Sequence, residues 1–161
     1  MTEQLLPFYS FDSGAIINGR RDIFKPKTFG AVWTKIEQMI ASGQVRAVDE
    51  VRREVLKKDD EAAQWTKTQS GLFVQLTTDV QLATKQVLAE HPRLLGEGGI
   101  RNGADAFVIG LALTSNGTVV TQEQSRNITK PRIPDVCDAM GVKWCTLPGF
   151  VDEQDWTVSV D

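Results

Sequence analysis

The strongest pattern in the sequence is an apolar segment, Gly103–Leu113, followed by a β-branched run, Thr118–Thr121. Apolar residues occupy nearly every side of the first segment, which predicts a buried helix. It is too short to cross a bilayer, which requires about 20 apolar residues. The run after the turn Ser115–Gly117 predicts a buried parallel strand. This unit places Asp105 at the start of a helix and Glu123 just beyond a strand.

Short apolar runs alternate with segments of helical spacing along the rest of the chain. The predicted strands are Pro7–Phe11, Val45–Val48, Leu72–Leu76, Thr118–Thr121 and Lys143–Thr146. Further helices are predicted from Thr28 to Ser42, from Asp49, from Asp59, over Asp79–Glu90 and from Pro134. This alternation predicts an α/β fold, a three-layer sandwich in which helices flank a mostly parallel central sheet.

Three segments have no clear periodicity. The window Asn18–Thr28 is the most basic part of the chain and predicts a loop. It is either a solvated surface or a rim that steers phosphates toward Asp12. The glycine-rich stretch Leu94–Asn102 lacks the residue order of a P-loop, which argues against a nucleotide site. From about Pro148 the sequence predicts a polar, acidic tail.

Length and charge limit the functional classes. The 161 residues predict one domain over positions 1–161, and the net charge of −3 argues against nucleic-acid binding by bulk charge alone. A local basic strip or a bound metal could still hold a nucleic acid. The first residues contain no basic and apolar leader, so we expect a cytoplasmic protein that does not contact a membrane. Two cysteines and one histidine do not provide the ligand spacing of a zinc site.

Four acidic residues lie at predicted strand ends or helix edges. They are Asp12, Glu54, Asp105 and Glu123. Two of them have an ordinary structural explanation when taken alone: Asp12 suits a turn or helix cap, and Glu54 can pair with Lys58 one helical turn away. Because ligands bind beyond the carboxyl ends of parallel strands, however, we expect all four carboxylates at the same edge of the sheet.

Such a cluster indicates a particular chemistry. Carboxylates brought together repel one another, and a divalent cation can neutralise them. Oxygen ligands without cysteine or histidine favour Mg²⁺ or Mn²⁺. Ions of this kind suit the attack of water on a phosphodiester.

The sequence resembles the PIN-like ribonuclease domains of the VapC-like toxin type, and in particular a small bacterial branch of them. The resemblance covers essentially the whole chain. It depends on the segments Tyr9–Ser13, Val51–Val55, Ala104–Ile109, Val119–Glu123 and Lys130–Cys137. It implies a PIN-like fold and the activity of a metal-dependent endoribonuclease, with Mg²⁺ or Mn²⁺ as cofactor and RNA as substrate. It also implies a cognate antitoxin as partner, and it leaves open whether the protein forms a homodimer. By analogy Asp12, Glu54, Asp105 and Glu123 are the metal-binding and catalytic residues.

The chain departs from the family pattern at two positions. Gly14 stands where such domains often have Ser or Thr, with Ser13 one residue earlier, and Glu123 stands where Asp is frequent. Asp135 is either a fifth acid near the metal or a helix-start residue. Two other functions remain open: a non-catalytic interaction module that keeps the PIN-like fold, and a phosphatase or phosphoacceptor domain of similar topology.

Overall fold

A computed structural model describes residues 6–96, 103–127 and 129–157. Its centre is a five-stranded sheet with the strand order β3-β2-β1-β4-β5, and all four pairings are parallel. The strands are β1 (Tyr9–Phe11), β2 (Val45–Val48), β3 (Phe73–Val74), β4 (Thr118–Val120) and β5 (Lys143–Cys145). The predicted parallel sheet is confirmed, and the strand order reverses between β1 and β4.

Eight α-helices connect and cover these strands in the described part of the chain. They are α1 (Ser13–Asn18), α2 (Pro26–Ser42), α3 (Asp49–Val55), α4 (Glu61–Lys67), α5 (Thr78–Glu90), α6 (Gly103–Ser115), α7 (Ile133–Met140) and α8 (Leu147–Glu153). The three-layer α/β sandwich that the alternation predicts is confirmed. None of the described helices combines the length and the apolar character that a membrane crossing requires.

Helix α6 is the buried helix that the apolar segment predicts. It packs against β1, β2 and α5. Gly110 makes the last contact possible, because a Cβ at this position would lie 2.4 Å from the Thr84 hydroxyl oxygen and 3.0 Å from the Thr84 nitrogen. The hydroxyl of Ser10 on β1 donates a 2.8 Å hydrogen bond to the Val108 carbonyl, which ties the helix to the central strand. These contacts fix the position of Asp105 in the first turn of α6.

Several predicted boundaries are wrong. The window predicted as a loop, Asn18–Thr28, contains the last residue of α1, a π-helical turn, Gly19–Ile23, and the first residues of α2, which begins at Pro26 and has non-helical dihedral angles at Phe29. Proline at the start of a helix loses no hydrogen bond, which explains the earlier start. Strand β3 has only two residues.

The predicted C-terminal tail is also wrong in part, because residues 147–153 form α8. The side chain of Phe150 is fully buried and its ring meets those of Tyr9 and Phe11 edge to face, at 4.7 and 5.2 Å between centroids. One apolar residue in an acidic segment thereby anchors the helix on the sheet. Most of the glycine-rich stretch, residues 97–102, lies outside the described residues.

Candidate functional site

The candidate site lies at the carboxyl edge of the sheet, next to the point where the strand order reverses. A cleft of about 560 Å³ opens there, lined by Asp12–Gly14, Asn18, Gln122–Arg126 and Arg132. In parallel α/β sheets this is the usual position of a ligand. The two walls come from the segments that follow β1 and β4.

Asp12 follows the central strand β1 and is 4% exposed. Its Oδ1 accepts the backbone N–H of Ser13 at 2.8 Å, so that it caps α1, and its Oδ2 accepts the Thr121 hydroxyl at 3.0 Å. Burial and the nearby carboxylates of Glu123 and Glu54 nevertheless raise the pKa of Asp12 to about 7. The cap role suggested by the sequence is therefore real, but it does not offset the cost of the buried charge.

Asp105 is 7% exposed at the start of α6. In the described part of the chain, no donor forms a hydrogen bond with its carboxylate. Burial, with the charges of Asp12, Glu123 and Glu54, raises the pKa of Asp105 to about 9, although Arg132 acts in the opposite direction. Asp105 is therefore the acid that most needs a cation or a proton.

Glu123 and Glu54 complete the group. Glu123 lines the cleft, and its Oε1 accepts the backbone N–H of Ile133 at 3.0 Å. Glu54, half-buried on α3, accepts a long 3.4 Å hydrogen bond from the Ser13 hydroxyl. Burial raises the pKa of Glu54, and Glu123 adds to the effect while Ser13 and Lys57 oppose it.

The structure therefore brings the four predicted acids within electrostatic reach of one another, but not around one point. Asp12 and Glu123 line the cleft, whereas Glu54 and Asp105 lie beside its lining. Across residues 6–96, 103–127 and 129–157, no three Asp, Glu, His or Cys side chains are arranged to hold a metal ion. A cation held by all four acids would therefore require side-chain movements, including that of Glu123, which accepts the Ile133 backbone N–H.

The prediction of a phosphate-steering rim in the basic window is not supported at Arg20. That side chain is buried, with its guanidinium 4.7 Å from the ring centroids of both Trp33 and Trp65. It also donates two hydrogen bonds, of 2.7 and 2.6 Å, to the carboxylate of Glu61. Arg20 is thus a structural residue that joins the π-helical turn to α2 and α4.

Two cations that line the cleft, Arg126 and Arg132, were not predicted from the sequence. Both lie in the segment between β4 and α7, where the only sequence signal is that prolines stand close to Arg132 on both sides. Thr121, whose hydroxyl donates to Asp12, was not predicted either. Its position directly after β4 is the signal that could have identified it. Asp135 does not line the cleft; its carboxylate accepts backbone N–H groups of Arg126 and Arg132.

Of the two cysteines, one lies on a helix and the other on a strand. Cys137 is buried in α7 and Cys145 lies in β5, both as free thiols. Burial raises the pKa of each thiol to about 12, so neither is a thiolate at neutral pH.

Comparisons with known proteins agree with this architecture. Two solved structures are similar to the chain. One is DNA-bound VapBC from Salmonella typhimurium, with a TM-score of 0.56 and 15% sequence identity. The other is VapBC2 from Rickettsia felis bound to a promoter DNA fragment, with a TM-score of 0.54 and 12% sequence identity. The first match covers 88% of this chain and 99% of the other, and the second covers 86% and 98%. At such identities the likeness establishes the fold, and the PIN-like fold implied by the sequence is confirmed.

Sequence comparison identifies the family. No curated protein sequence matches the chain. Residues 9–158 match the family described as a domain of unknown function, DUF4411. The matched segment includes all five strands and all four acids of the candidate site. The chain is therefore a member of the DUF4411 family with a VapC-like PIN fold.

Proposed function

We propose that this protein is a metal-dependent endoribonuclease of PIN-like type and the toxin of a toxin–antitoxin pair. One observation carries the proposal: two buried aspartates, Asp12 and Asp105, share an edge of the sheet with two glutamates, and their pKa values rise to about 7 and about 9. Folded proteins retain such repulsion mainly at functional sites.

The donor set fits a divalent cation. It consists of carboxylate oxygens, which Mg²⁺ and Mn²⁺ prefer. Asp12, Glu54, Asp105 and Glu123 would hold the ion, and the hydrogen bonds to Asp12 leave further lone pairs free on both oxygens. When bound, such an ion supplies Lewis-acid activation of a water nucleophile and neutralises charge that develops on a phosphodiester.

The chain's own residues orient this site. Thr121 and the Ser13 backbone fix the rotamer of Asp12 from two sides. The Ser13 hydroxyl donates a hydrogen bond to Glu54 and thereby connects α1 to the acid on α3. Burial of Asp105 in the first turn of α6 keeps bulk water from competing for its charge.

The toxin proposal depends on the fold. Both similar structures are VapBC complexes bound to DNA, which supports a cognate antitoxin protein as the partner of this chain. RNA as the substrate is supported by the resemblance to PIN-like ribonucleases and by the cleft of about 560 Å³ between α1 and the segment after β4.

The experiment is a cleavage assay on labelled single-stranded RNA, with Mn²⁺ or Mg²⁺ against a chelator. We expect cleavage only with metal, and we expect Asp105→Asn to lower it at least about a hundredfold. The matched control is Asp152→Asn, an exposed acid on α8, which should cleave like wild type. Chelator-resistant cleavage, or an Asp105→Asn protein as active as wild type, would contradict the proposal.

A second candidate function is favoured by one observation. The described residues contain no preformed metal cage, as expected for a non-catalytic PIN-like interaction module. The two functions differ in a Mn²⁺ titration followed by thermal melting. A nuclease should be stabilised by the ion. An interaction module should melt at the same temperature with and without it.

A further inference from the structure

The loop after β4 places two arginines on the cleft. Arg126 is exposed, Arg132 is half-buried, and both line the cleft next to Glu123. In the part of the chain that the structure describes, neither guanidinium forms a salt bridge or a hydrogen bond. The chain does pair other arginines with carboxylates: Arg20 with Glu61 and Arg53 with Asp49.

A carboxylate outside the cleft holds both arginines in place. Both oxygens of Asp135, in the first turn of α7, accept the backbone N–H of Arg126, at 3.0 and 2.9 Å. One of them also accepts the backbone N–H of Arg132 at 2.8 Å. Hydrogen bonds to an ionised acceptor are about twice as strong as neutral ones. Asp135 therefore fixes the backbone of the loop at Arg126 and at Arg132.

We propose that Arg126 and Arg132 bind backbone phosphates of single-stranded RNA beside the acidic site, and that Asp135 is the residue that positions them. The inference rests on the proposed function, because it assigns the substrate contacts of the same cleft. A guanidinium matches phosphate geometry, and a cleft lined by Asp12 and Glu123 would otherwise repel RNA. Phosphate contacts orient a nucleic acid without reading its sequence.

The test measures the affinity of the protein for a short fluorescein-labelled single-stranded RNA by fluorescence anisotropy. Ca²⁺ is present as an oxygen-seeking ion, and a gel verifies that the RNA stays intact. We expect Arg126→Ala and Arg132→Ala each to weaken binding at least about threefold and to reduce the salt slope by about 0.7. The losses should be equal on purine-rich and pyrimidine-rich RNA.

Two further variants separate charge from folding. Arg126→Lys keeps the charge and should restore most of the salt slope. The matched control is Lys143→Ala, which removes an exposed cation beside a cleft at the opposite edge of the sheet and should leave affinity unchanged. Wild-type affinity in both arginine variants, or the same loss in Lys143→Ala, would overturn the inference.

The positioning role of Asp135 is tested by a mutant cycle. Asp135→Ala should weaken RNA binding at least as much as Arg126→Ala does, yet add little further loss when Arg126 and Arg132 are both already alanine. Asp138→Ala, on the same helix but bound to Trp144, is the control and should not change affinity. An undiminished further loss on adding Asp135→Ala to the protein in which both arginines are alanine would mean that Asp135 acts only through α7, and would contradict the positioning role.

The outcomes distinguish this inference from the proposed function. RNA binding that depends on the arginines, without any Mn²⁺-dependent cleavage, would support the phosphate contacts and contradict the nuclease proposal. Metal-dependent cleavage with unchanged RNA affinity in the arginine variants would do the reverse.

Discussion

Thr121 and Asp12 are joined by a 3.0 Å hydrogen bond although they lie 109 positions apart in the sequence. Thr121 follows β4 and Asp12 follows β1, the two strands between which the sheet order reverses. The same hydroxyl accepts the backbone N–H of Glu123 at 3.1 Å. One side chain therefore connects the ends of two strands that each contribute an acid to the candidate site.

The first prediction concerns charge in this group. Asp12→Asn should stabilise the metal-free protein, because it removes one of several repelling carboxylates. We expect a higher melting temperature and an increase of about 1 kcal/mol in the unfolding free energy. With saturating Mn²⁺ the ranking should reverse, since wild type gains more binding free energy than the variant. Paired thermal melts of both proteins, with chelator and with Mn²⁺, measure the two differences. An Asp12→Asn protein that is neutral or destabilised in both conditions would mean that Asp12 is only a helix cap.

The pH dependence of the metal-free protein follows from the same pKa values. The folded pKa values of Asp12 and Asp105 rise to about 7 and about 9, above the unfolded value of about 3.9, so the folded protein binds more protons between these limits. Its unfolding free energy should therefore fall as pH rises from about 4 to about 9. Asp12→Asn should flatten the part of this decline below about pH 7. Melts over this range that show rising stability would contradict the raised pKa values.

The hydrophobic pattern of the sequence correctly predicted those helices and strands whose own residues are apolar enough to require burial. Helix α6 is apolar on all sides, and it lies where the apolar segment predicts. The parallel sheet and the carboxyl edge that holds Asp12 and Glu123 follow from the alternation of strands and helices. The placement of Asp12 and Glu123 could be expected for the same reason, because parallel strands end at one edge; Glu54 and Asp105 lie on the helices α3 and α6.

The side-chain roles that the sequence did not predict depend on contacts between residues far apart in the chain. The sequence suggests that Arg20 is a surface cation, and only the fold brings the rings of both Trp33 and Trp65 to 4.7 Å from its guanidinium. Asp135 reads as a helix-start residue, which it is, but its reach to the Arg126 backbone depends on the path of the loop. Such pairings have no periodic signal, so the basic lining of the cleft was found only in the structure.

The second prediction tests the role of Arg20. Arg20→Ala should lower the unfolding free energy by about 2 kcal/mol, because it removes a desolvated cation–π contact with two rings and a charge-assisted pair with Glu61. Arg20→Lys should not restore it, since an ammonium cannot stack or bind in two places. The neighbouring Arg21→Ala is the control; its pair with Asp22 is exposed and should contribute little. Urea denaturation of the three variants decides the matter, and equal losses for Arg20→Ala and Arg21→Ala would refute a structural role.

The third prediction addresses the toxin proposal in cells. Expression of the chain alone should slow bacterial growth, and Glu54→Gln should relieve the effect, because it removes one of the charges proposed to hold the metal. Asp59→Asn, an exposed acid just beyond α3, serves as the control and should remain toxic. Growth curves at matched protein levels provide the measurement. Equal growth with wild type and Glu54→Gln would reject the toxin proposal and leave the fold unaffected.

The proposed nuclease requires that Asp12, Glu54, Asp105 and Glu123 share a divalent cation. The most direct test is anomalous diffraction from a crystal soaked in Mn²⁺. We expect an anomalous peak among these carboxylates, with the side chain of Glu123 turned away from the Ile133 backbone, and no such peak in a crystal of Asp105→Asn soaked in the same way. A wild-type crystal that shows Mn²⁺ only elsewhere on its surface, with Glu123 still bound to Ile133, would contradict it.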